Sequence, residues 1–174
     1  HANYAYSVQG EHVKGLGLSY GTALLSKLPL KDAISVTFSY TPPTPAKGFL
    51  VSTLDTGIKI NLVSVHLDFA RSAVRHQQIE ELIHYLKPRG KPLIIMGDFN
   101  CEWTSETTLP VLAEQLNLHA YQPTATQLNT FPQPTKETRI DWILISAELE
   151  FVTYQAVEDI LSDHLGIVAT LKVK

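Results

Sequence analysis

The sequence predicts a single α/β (α+β) domain in which helices pack on the outside of a mixed β-sheet. Most apolar segments are short and rich in β-branched and aromatic residues, as strands are. Only two segments space their apolar residues as a helix does. No linker, repeat or low-complexity tract divides the 174 residues, a length typical of one domain.

The composition excludes several classes of protein. Hydrophobic residues make up 44% and charged residues 18% of the chain, which rules out a disordered chain. The single cysteine excludes a disulfide scaffold and a cysteine-rich zinc site. A net charge of −3 argues against a protein that coats nucleic acid with basic surface, although an enzyme that binds a phosphate needs only a basic pocket.

The sequence gives no indication of compartment. No apolar run approaches the roughly 20 residues of a membrane helix. The chain opens with HANYAYSVQG, which lacks the basic and apolar regions of a signal peptide. The absence of an initial methionine suggests a processed or trimmed product.

The first half of the chain predicts strands separated by turns. The predicted strands are residues 21–26, 33–39, 49–54 and 58–66. The segment 41–45 holds three prolines, which cannot feed a sheet ladder, and is predicted to be a loop. Asp55, Thr56 and Gly57 predict a hairpin turn between the last two strands.

The second half contains both predicted helices. Residues 70–87 and 104–116 carry apolar residues at helical spacing, and Pro88 with Gly90 ends the first helix. A buried strand is predicted between them at 92–97, and a polar loop follows at 122–136. The remaining predicted strands are residues 140–145, 151–157 and 165–172.

Polar side chains collect where apolar strands begin or end. His66 and Asp98 each follow a strand, Asp141 opens one, and Asp163 with His164 precedes the last one. Strand ends are where α/β folds place their sites. A carboxylate buried there needs a cation or hydrogen bonds to compensate it. Several such residues together therefore indicate a constructed site.

The tetrapeptide Gly97-Asp98-Phe99-Asn100 is the most informative part of this set. Strand alternation lets Asp98 and Asn100 point the same way while Phe99 faces the core. Aspartate is a hard ligand suited to Mg²⁺ or Mn²⁺ and can also accept a proton from water. An asparagine amide can donate to a phosphoryl oxygen.

Each of these residues also has an ordinary structural interpretation. The tetrapeptide is a common turn after a strand, and His66 alone is more simply a core histidine. Asp141 alone could interact with the neighbouring Arg139. Asp163 and His164 can serve one site only if they lie in a turn, because strand neighbours face opposite ways.

Taken in order, these segments resemble the endonuclease/exonuclease/phosphatase superfamily of DNase I-like, metal-dependent phosphohydrolases. The matching segments are YGTALLSKLPL (20–30), VSVHLD (63–68), RHQQIEEL (75–82), IIMGDFN (94–100), TFP (130–132), RIDWILIS (139–146) and SDHLGIVATL (162–171). The resemblance implies a four-layer sandwich of two mixed β-sheets flanked by helices, with one active site at the mouth between the sheets.

The resemblance also implies roles for the site residues. Asp98 would activate or position the attacking water, and Asn100 and His66 would face the scissile phosphate. Asp141 would orient an imidazole, and His164 would contact the phosphate or act as an acid/base. Asp163 and Asp98 would bind Mg²⁺ or Mn²⁺, and water would attack phosphorus in line.

One part of the family pattern is not matched. Family members carry two earlier strands, ending in Asn and in a metal-binding Glu, and Glu11 is not an acceptable substitute because its segment is not an apolar strand. We therefore expect a domain over 1–174 that lacks its N-terminal strands. The open sheet edge this leaves would favour a homodimer.

Two functions remain open at this point. The leading one is a Mg²⁺- or Mn²⁺-dependent hydrolase of phosphate esters, acting on nucleic acid or a phospholipid head group. The alternative is a catalytically silent binding module, which the unmatched glutamate favours. A basic rim for DNA would have to come from Arg71, Arg75, Lys136 and Arg139, although the first two are more simply solvated surface residues. Trp103 or Trp142 could contact lipid, although both are more simply core residues.

Overall fold

A computed structural model describes residues 3–15, 18–90, 92–132, 137–157, 159 and 161–174. Its strands are Tyr6–Gly15 (β1), Leu18–Ser26 (β2), Leu30–Thr37 (β3), Gly48–Asp55 (β4), Lys59–His66 (β5), Leu93–Asp98 (β6), Leu118–Ala120 (β7), Phe131–Pro132 (β8), Glu137–Thr138 (β9), Asp141–Ser146 (β10), Leu149–Ala156 (β11) and Ile167–Val173 (β12). Its helices are Ser72–Leu86 (α1), which a 3-10 turn at Lys87–Arg89 follows, and Thr108–Leu116 (α2).

The central element is a six-stranded mixed sheet with the strand order β3-β4-β5-β6-β10-β7. β5 and β6 run parallel, and α1 connects them. Every other neighbouring pair in this sheet is antiparallel. A parallel pair needs such a crossover because a tight turn cannot join its ends.

One face of this sheet packs against the two helices. Alternate residues of the strands, such as Val63, Val65 and Ile95, are fully buried there with Ile79 of α1 and Leu112 of α2. The helices supply these contacts because their apolar residues recur at helical spacing. This layer contains the main hydrophobic core.

The other face carries two hairpins, β1–β2 and β11–β12. The β1–β2 hairpin packs against β3, β4 and β5. A trough of about 280 Å³ lies between Ala23 of β2 and Ile167 of β12, and its floor includes Ser64, Met96 and Ile143 of the central sheet. The structure thus confirms the predicted mixed α+β fold, with the second layer formed by two separate hairpins.

Both predicted helices and all eight predicted strands are present, with bounds that differ by at most four residues from those expected. α2 begins at Thr108 rather than at residue 104, because Glu102 and Ser105 form a turn before it. β1 was not predicted, since only one of its faces is buried and its other face is polar. The short strands β7, β8 and β9 were not predicted either.

Within the described residues, no helix combines the length and the apolar character needed to cross a membrane.

Candidate active site

The register of three neighbouring strands places three polar residues in one row. His66 on β5 pairs with Asp98 on β6, and Asp98 pairs with Asp141 on β10. Residues paired in register share a face of the sheet, so the three side chains project together. Gly97 makes this possible locally, because a Cβ at its φ of +147° would lie 2.0 Å from the carbonyl oxygen of Val65.

Asn100 holds the carboxylate of Asp98. Its backbone N–H donates to Asp98 Oδ1 at 2.8 Å, and its side-chain Nδ2 donates to Asp98 Oδ2 at 3.0 Å. Nδ2 also donates to the carbonyl oxygen of Leu67 at 3.1 Å. Phe99 is fully buried, as strand alternation predicted. Both amide N–H groups are therefore used within the protein, and the phosphate-binding role of Asn100 stays a prediction.

The environment of Asp98 disfavours its charged form. Burial, followed by the negative charge of Asp141, raises the pKa of Asp98 to about 6. The N–H of Asn100 and the positive charges of His164 and Lys47 offset only part of this effect. A carboxyl group with a pKa near neutrality is suited to exchanging a proton with water.

Asp141 and His164 form a second pair. His164 Nδ1 lies 2.8 Å from Asp141 Oδ2, and the imidazole packs on the ring of Phe131 with 4.7 Å between centroids. Burial alone would lower the pKa of His164, but the hydrogen bond and charge of Asp141 outweigh it and raise that pKa. The pair keeps an imidazolium ready to donate a proton near neutral pH.

The segment before β12 is a turn, which is the condition under which Asp163 and His164 can serve one site. The Ser162 hydroxyl accepts from the backbone N–H of His164, and this turn leaves Asp163 exposed. Asp163 makes no hydrogen bond or ion pair to any other described residue, but its charge contributes to the raised pKa of His164. Asp141 does not pair with Arg139, because Arg139 donates to the carbonyl oxygens of Tyr121 and Gln122 instead.

His66 is held from both ring nitrogens. Its Nδ1 lies 2.8 Å from the Tyr20 hydroxyl, and its Nε2 lies 2.9 Å from Lys47 Nζ and 3.3 Å from Asp98 Oδ2. Burial and then the charge of Lys47 lower the pKa of His66 to about 4. His66 is therefore neutral at pH 7, and its contact with Asp98 is not an ion pair.

Three residues of this site were not found by sequence reasoning: Tyr20, Lys47 and His12. Tyr20 contacts both His66 and Lys47. His12 is buried, bonds to Thr22, and lies at a bulge in β1. None of the three gives a sequence signal, because each is brought to His66 by the packing of β1–β2 and of the loop before β4.

Two of the four residues considered for a basic rim, Arg75 and Arg139, are buried. Arg75 is buried in an ion pair with Glu106 at 2.6 Å, so its interpretation as a solvated residue was wrong. Arg139 is buried against the Trp142 ring. Trp142 is a core residue and Trp103 packs against the core, while Lys136 lies outside the described residues.

Cys101 is a buried free thiol. Burial, followed by the charge of Glu106, raises its pKa. A thiol that stays protonated is a poor nucleophile.

The described residues form no complete cage for a cation. No group of three or more His, Cys, Asp or Glu side chains among the described residues is arranged to hold a metal ion. Asp98 and Asp141 are paired residues of β6 and β10, and the charge of Asp141 contributes to the raised pKa of Asp98. Mg²⁺ does not require a complete protein cage, since it keeps several waters and binds through one or two carboxylates plus phosphate. Glu11 is not one of these ligands, because it is exposed and bonds to Ser19 and Lys14.

The mixed sheet, with helices on one face and hairpins on the other, has a DNase I-like fold, which solved structures show. An endonuclease/exonuclease/phosphatase family protein from Bacteroides thetaiotaomicron is 19% identical, with a TM-score of 0.76 over 95% of this chain and 74% of its own. The mannosyl-6-phosphatase of Bacteroides thetaiotaomicron is 16% identical, with a TM-score of 0.77 over 96% and 76%. The human Nocturnin catalytic domain is 20% identical, with a TM-score of 0.72 over 97% and 72%.

The sequence itself assigns the family. The family model described as Endonuclease/Exonuclease/phosphatase family matches residues 1–164, and the chain belongs to that family. Comparison with curated proteins found no match.

Proposed function

We propose that the chain is a hydrolase of phosphate esters in which water attacks phosphorus in line. Membership of the family supports phosphoester hydrolysis at this coarse level. The observation that carries the proposal is the row of His66, Asp98 and Asp141, which the imidazole of His164 completes. Structural packing alone does not require a carboxyl group with a raised pKa beside a carboxylate-held imidazolium.

The residues divide the proton transfers between them. Asp98 accepts a proton from the attacking water, and Asn100 fixes its orientation through two hydrogen bonds. His164, kept protonated by Asp141, donates to the leaving oxygen. General acid–base catalysis of this kind contributes roughly 10²- to 10⁴-fold to a rate.

We expect Mg²⁺ or Mn²⁺ as the cofactor, with Asp98 and Asp163 as the residues that would hold it. Asp163 lies next to His164 in the turn before β12 and its carboxylate is exposed, so it is free to approach a cation. When bound, the cation neutralises charge on the phosphoryl oxygens.

The substrate is proposed only as a class: a phosphate ester of nucleic acid or of a phospholipid head group. The similar structures do not narrow this class, since one is named a mannosyl-6-phosphatase and another is the catalytic domain of Nocturnin. A test must therefore use simple esters that depend on the phosphorus centre alone.

The experiment compares p-nitrophenyl phosphate and its bis ester as substrates, with Mn²⁺ or with chelator. Asp98→Asn should reduce kcat by at least about 100-fold, while Asp55→Asn, at the half-buried end of β4 away from the site, should leave it unchanged. Chelator should abolish the wild-type rate. A wild-type rate that survives chelator, or an unchanged rate in Asp98→Asn, would contradict the proposal.

A homodimer is a separate proposal, and a specific observation favours it. Within the described part of the chain, the outer edges of β2 and β12 have no strand partner and flank the trough on the central sheet. Unpaired edges pair readily with another chain, so we propose a homodimer joined through one of them. Sedimentation velocity tests this: a mass that stays monomeric as the concentration rises would exclude it.

A further inference from the structure

Lys47 is a buried cation beside the proposed reaction centre, and the family resemblance assigned it no role. The residue is 6% exposed, which is unusual for lysine unless it is paired. Its Nζ contacts the Tyr20 hydroxyl and lies 2.9 Å from His66 Nε2. No carboxylate of a described residue lies within ion-pair distance of it.

The surroundings of Lys47 add bases and aromatic rings rather than acids. Its Nζ lies 4.8 Å from the centroid of the Tyr20 ring and 6.0 Å from that of Phe69. His12 packs against the neighbouring Gly48, where a Cβ would lie 2.5 Å from His12 Nδ1, and this buried nitrogen has no partner among the described residues. A buried ammonium in such surroundings is compensated only at a distance by Asp98 and Asp68.

The hydrogen bonds of Lys47 leave one donor available. An ammonium has three N–H groups and no acceptor. The Tyr20 oxygen and His66 Nε2 accept two of them, and no described residue accepts the third. Because an ammonium can only donate, His66 Nε2 must accept from a charged Lys47, and that nitrogen then does not donate to a phosphate.

We propose that Lys47 is the anion-binding residue of this site and donates its third N–H to a non-bridging oxygen of the substrate's phosphate group. Tyr20 and His66 are its positioning residues. The phosphate-facing role that the resemblance gave to His66 passes to Lys47. The proposal rests on the proposed function for the identity of the ester, but phosphate binding can be measured without any turnover.

The test is the affinity of the metal-free protein for inorganic phosphate, measured by isothermal titration calorimetry. Lys47→Met should weaken binding at least about tenfold, and Lys47→Arg should restore most of it because arginine keeps the charge and the donors. Lys59→Met, on the exposed start of β5, is the matched control and should bind as wild type. Equal affinity in Lys47→Met and wild type would overturn the proposal.

A measurement on the wild-type protein covers the case in which Lys47→Met does not fold. In a ¹H–¹³C correlation spectrum, phosphate should move the Lys47 Cε signal, identified by its absence from Lys47→Arg, and leave that of Lys59 in place. A Lys47 signal that stays fixed during the titration would overturn the proposal.

Kinetics separate this inference from the proposed function. Lys47→Met should raise KM for p-nitrophenyl phosphate more than it lowers kcat, whereas general damage to the fold would lower the thermal midpoint of unfolding as well. Phosphate binding that depends on Lys47 in a protein without turnover would support the anion site and refute the hydrolase. Turnover with an unchanged KM in Lys47→Met would support the hydrolase and refute the anion site.

Discussion

Asp98 and Asp141 put two carboxylates on neighbouring strands at one point of the sheet. Like charges at this spacing resist simultaneous ionisation. The consequence differs between the two residues, because Asp141 has the imidazole of His164 at 2.8 Å, whereas Asp98 has the neutral His66. Burial, followed by the charge of Asp141, raises the pKa of Asp98, and the proposed function makes Asp98 the residue that exchanges a proton.

Replacing Asp98 tests the energetic cost of this arrangement. The folded pKa of about 6 exceeds the ordinary value of 3.8, so ionisation of Asp98 destabilises the fold increasingly between these two pH values and fully above pH 6. Asp98→Asn should gain about 2–3 kcal/mol relative to wild type on going from pH 4 to pH 8. Urea unfolding at both pH values measures this difference, and a pH-independent difference would contradict it.

The two histidines of the site should titrate at opposite ends of the imidazole range. In the metal-free protein His66 should titrate near pH 4 and His164 above the ordinary 6.5. Asp141→Asn should lower the His164 pKa by about one unit or more, because it removes the charge that favours the imidazolium. NMR titration of the imidazole Cε1 signals, assigned with His66→Gln and His164→Gln, measures both.

The result that would contradict this reading is an Asp141→Asn variant with an unchanged His164 titration. It would mean that the hydrogen bond between these residues is not the cause of the shift. A His66 that titrates near 6.5 would likewise show that Lys47 and burial do not control it.

At the scale of the elements, the register of β5 and β6 decides the site. Gly97 permits the two strands to approach, since its φ is +147° and the space for a Cβ is filled by backbone of Val65. A slip of β6 by one residue would turn Asp98 to the face opposite to His66 and Asp141.

Gly97→Ala should therefore reduce both stability and activity. The added methyl must displace the Val65 backbone, so we expect a loss of about 3 kcal/mol or more in the free energy of unfolding. Gly57→Ala is the matched control: its φ is +89° but nothing lies within 4 Å, so it should lose only about 1 kcal/mol from backbone strain. Equal losses in denaturant unfolding would show that the close approach is unimportant.

The segment after β5 is fixed by a buried carboxylate. Asp68 is fully buried and accepts from Thr44 Oγ1 at 2.6 Å, from the N–H of Ala70 and from both the backbone and the guanidinium of Arg71. This network holds the segment whose Leu67 carbonyl anchors Asn100.

Asp68→Ala should destabilise the fold by about 3–5 kcal/mol, since it leaves several donors buried without a partner. Burial opposes ionisation of Asp68, but its hydrogen bonds lower its pKa to about 2. Its contribution to stability is therefore present above pH 3.8 and is lost as the pH falls toward 2. Acid unfolding of wild type and variant should converge toward pH 2, and parallel curves would contradict this account.

The sequence was sufficient where a local pattern determines the structure. The apolar alternation of β5 and β6 and the spacing in α1 predict elements that are present, and the Gly97-Asp98-Phe99-Asn100 pattern predicts the directions of its side chains. β1 escaped detection because residues such as Gln9 and Glu11 form its exposed face. A strand that is buried on one side only by tertiary packing has no strong local signal.

The contacts of His66 with Tyr20 and Lys47 could not be predicted, because they join segments that are distant in the sequence. Lys47 and Tyr20 lie 19 and 46 positions from His66 along the chain, so no spacing rule connects them. The predicted roles of Asp98, Asn100, Asp141, Asp163 and His164 came from the family resemblance and remain to be tested by activity.

At the scale of the whole molecule, helices cover one face of the central sheet and two hairpins cover part of the other. The row of His66, Asp98 and Asp141 lies at the end of the trough. Asp141 and Trp142 of β10 line the trough, and Asp141 also belongs to the row. The architecture therefore places the row of His66, Asp98 and Asp141 beside a recess rather than on a flat surface.

The most direct test of the account is the rate of hydrolysis of bis-p-nitrophenyl phosphate with Mn²⁺ by wild type, His164→Ala and His84→Ala. His84 lies exposed near the end of α1 and serves as the control for a lost imidazole. We predict metal-dependent turnover that falls at least about 100-fold in His164→Ala and is unchanged in His84→Ala. A folded wild-type chain without turnover, or equal rates in all three proteins, would contradict the central claim that Asp98 and the Asp141–His164 pair form a hydrolytic centre.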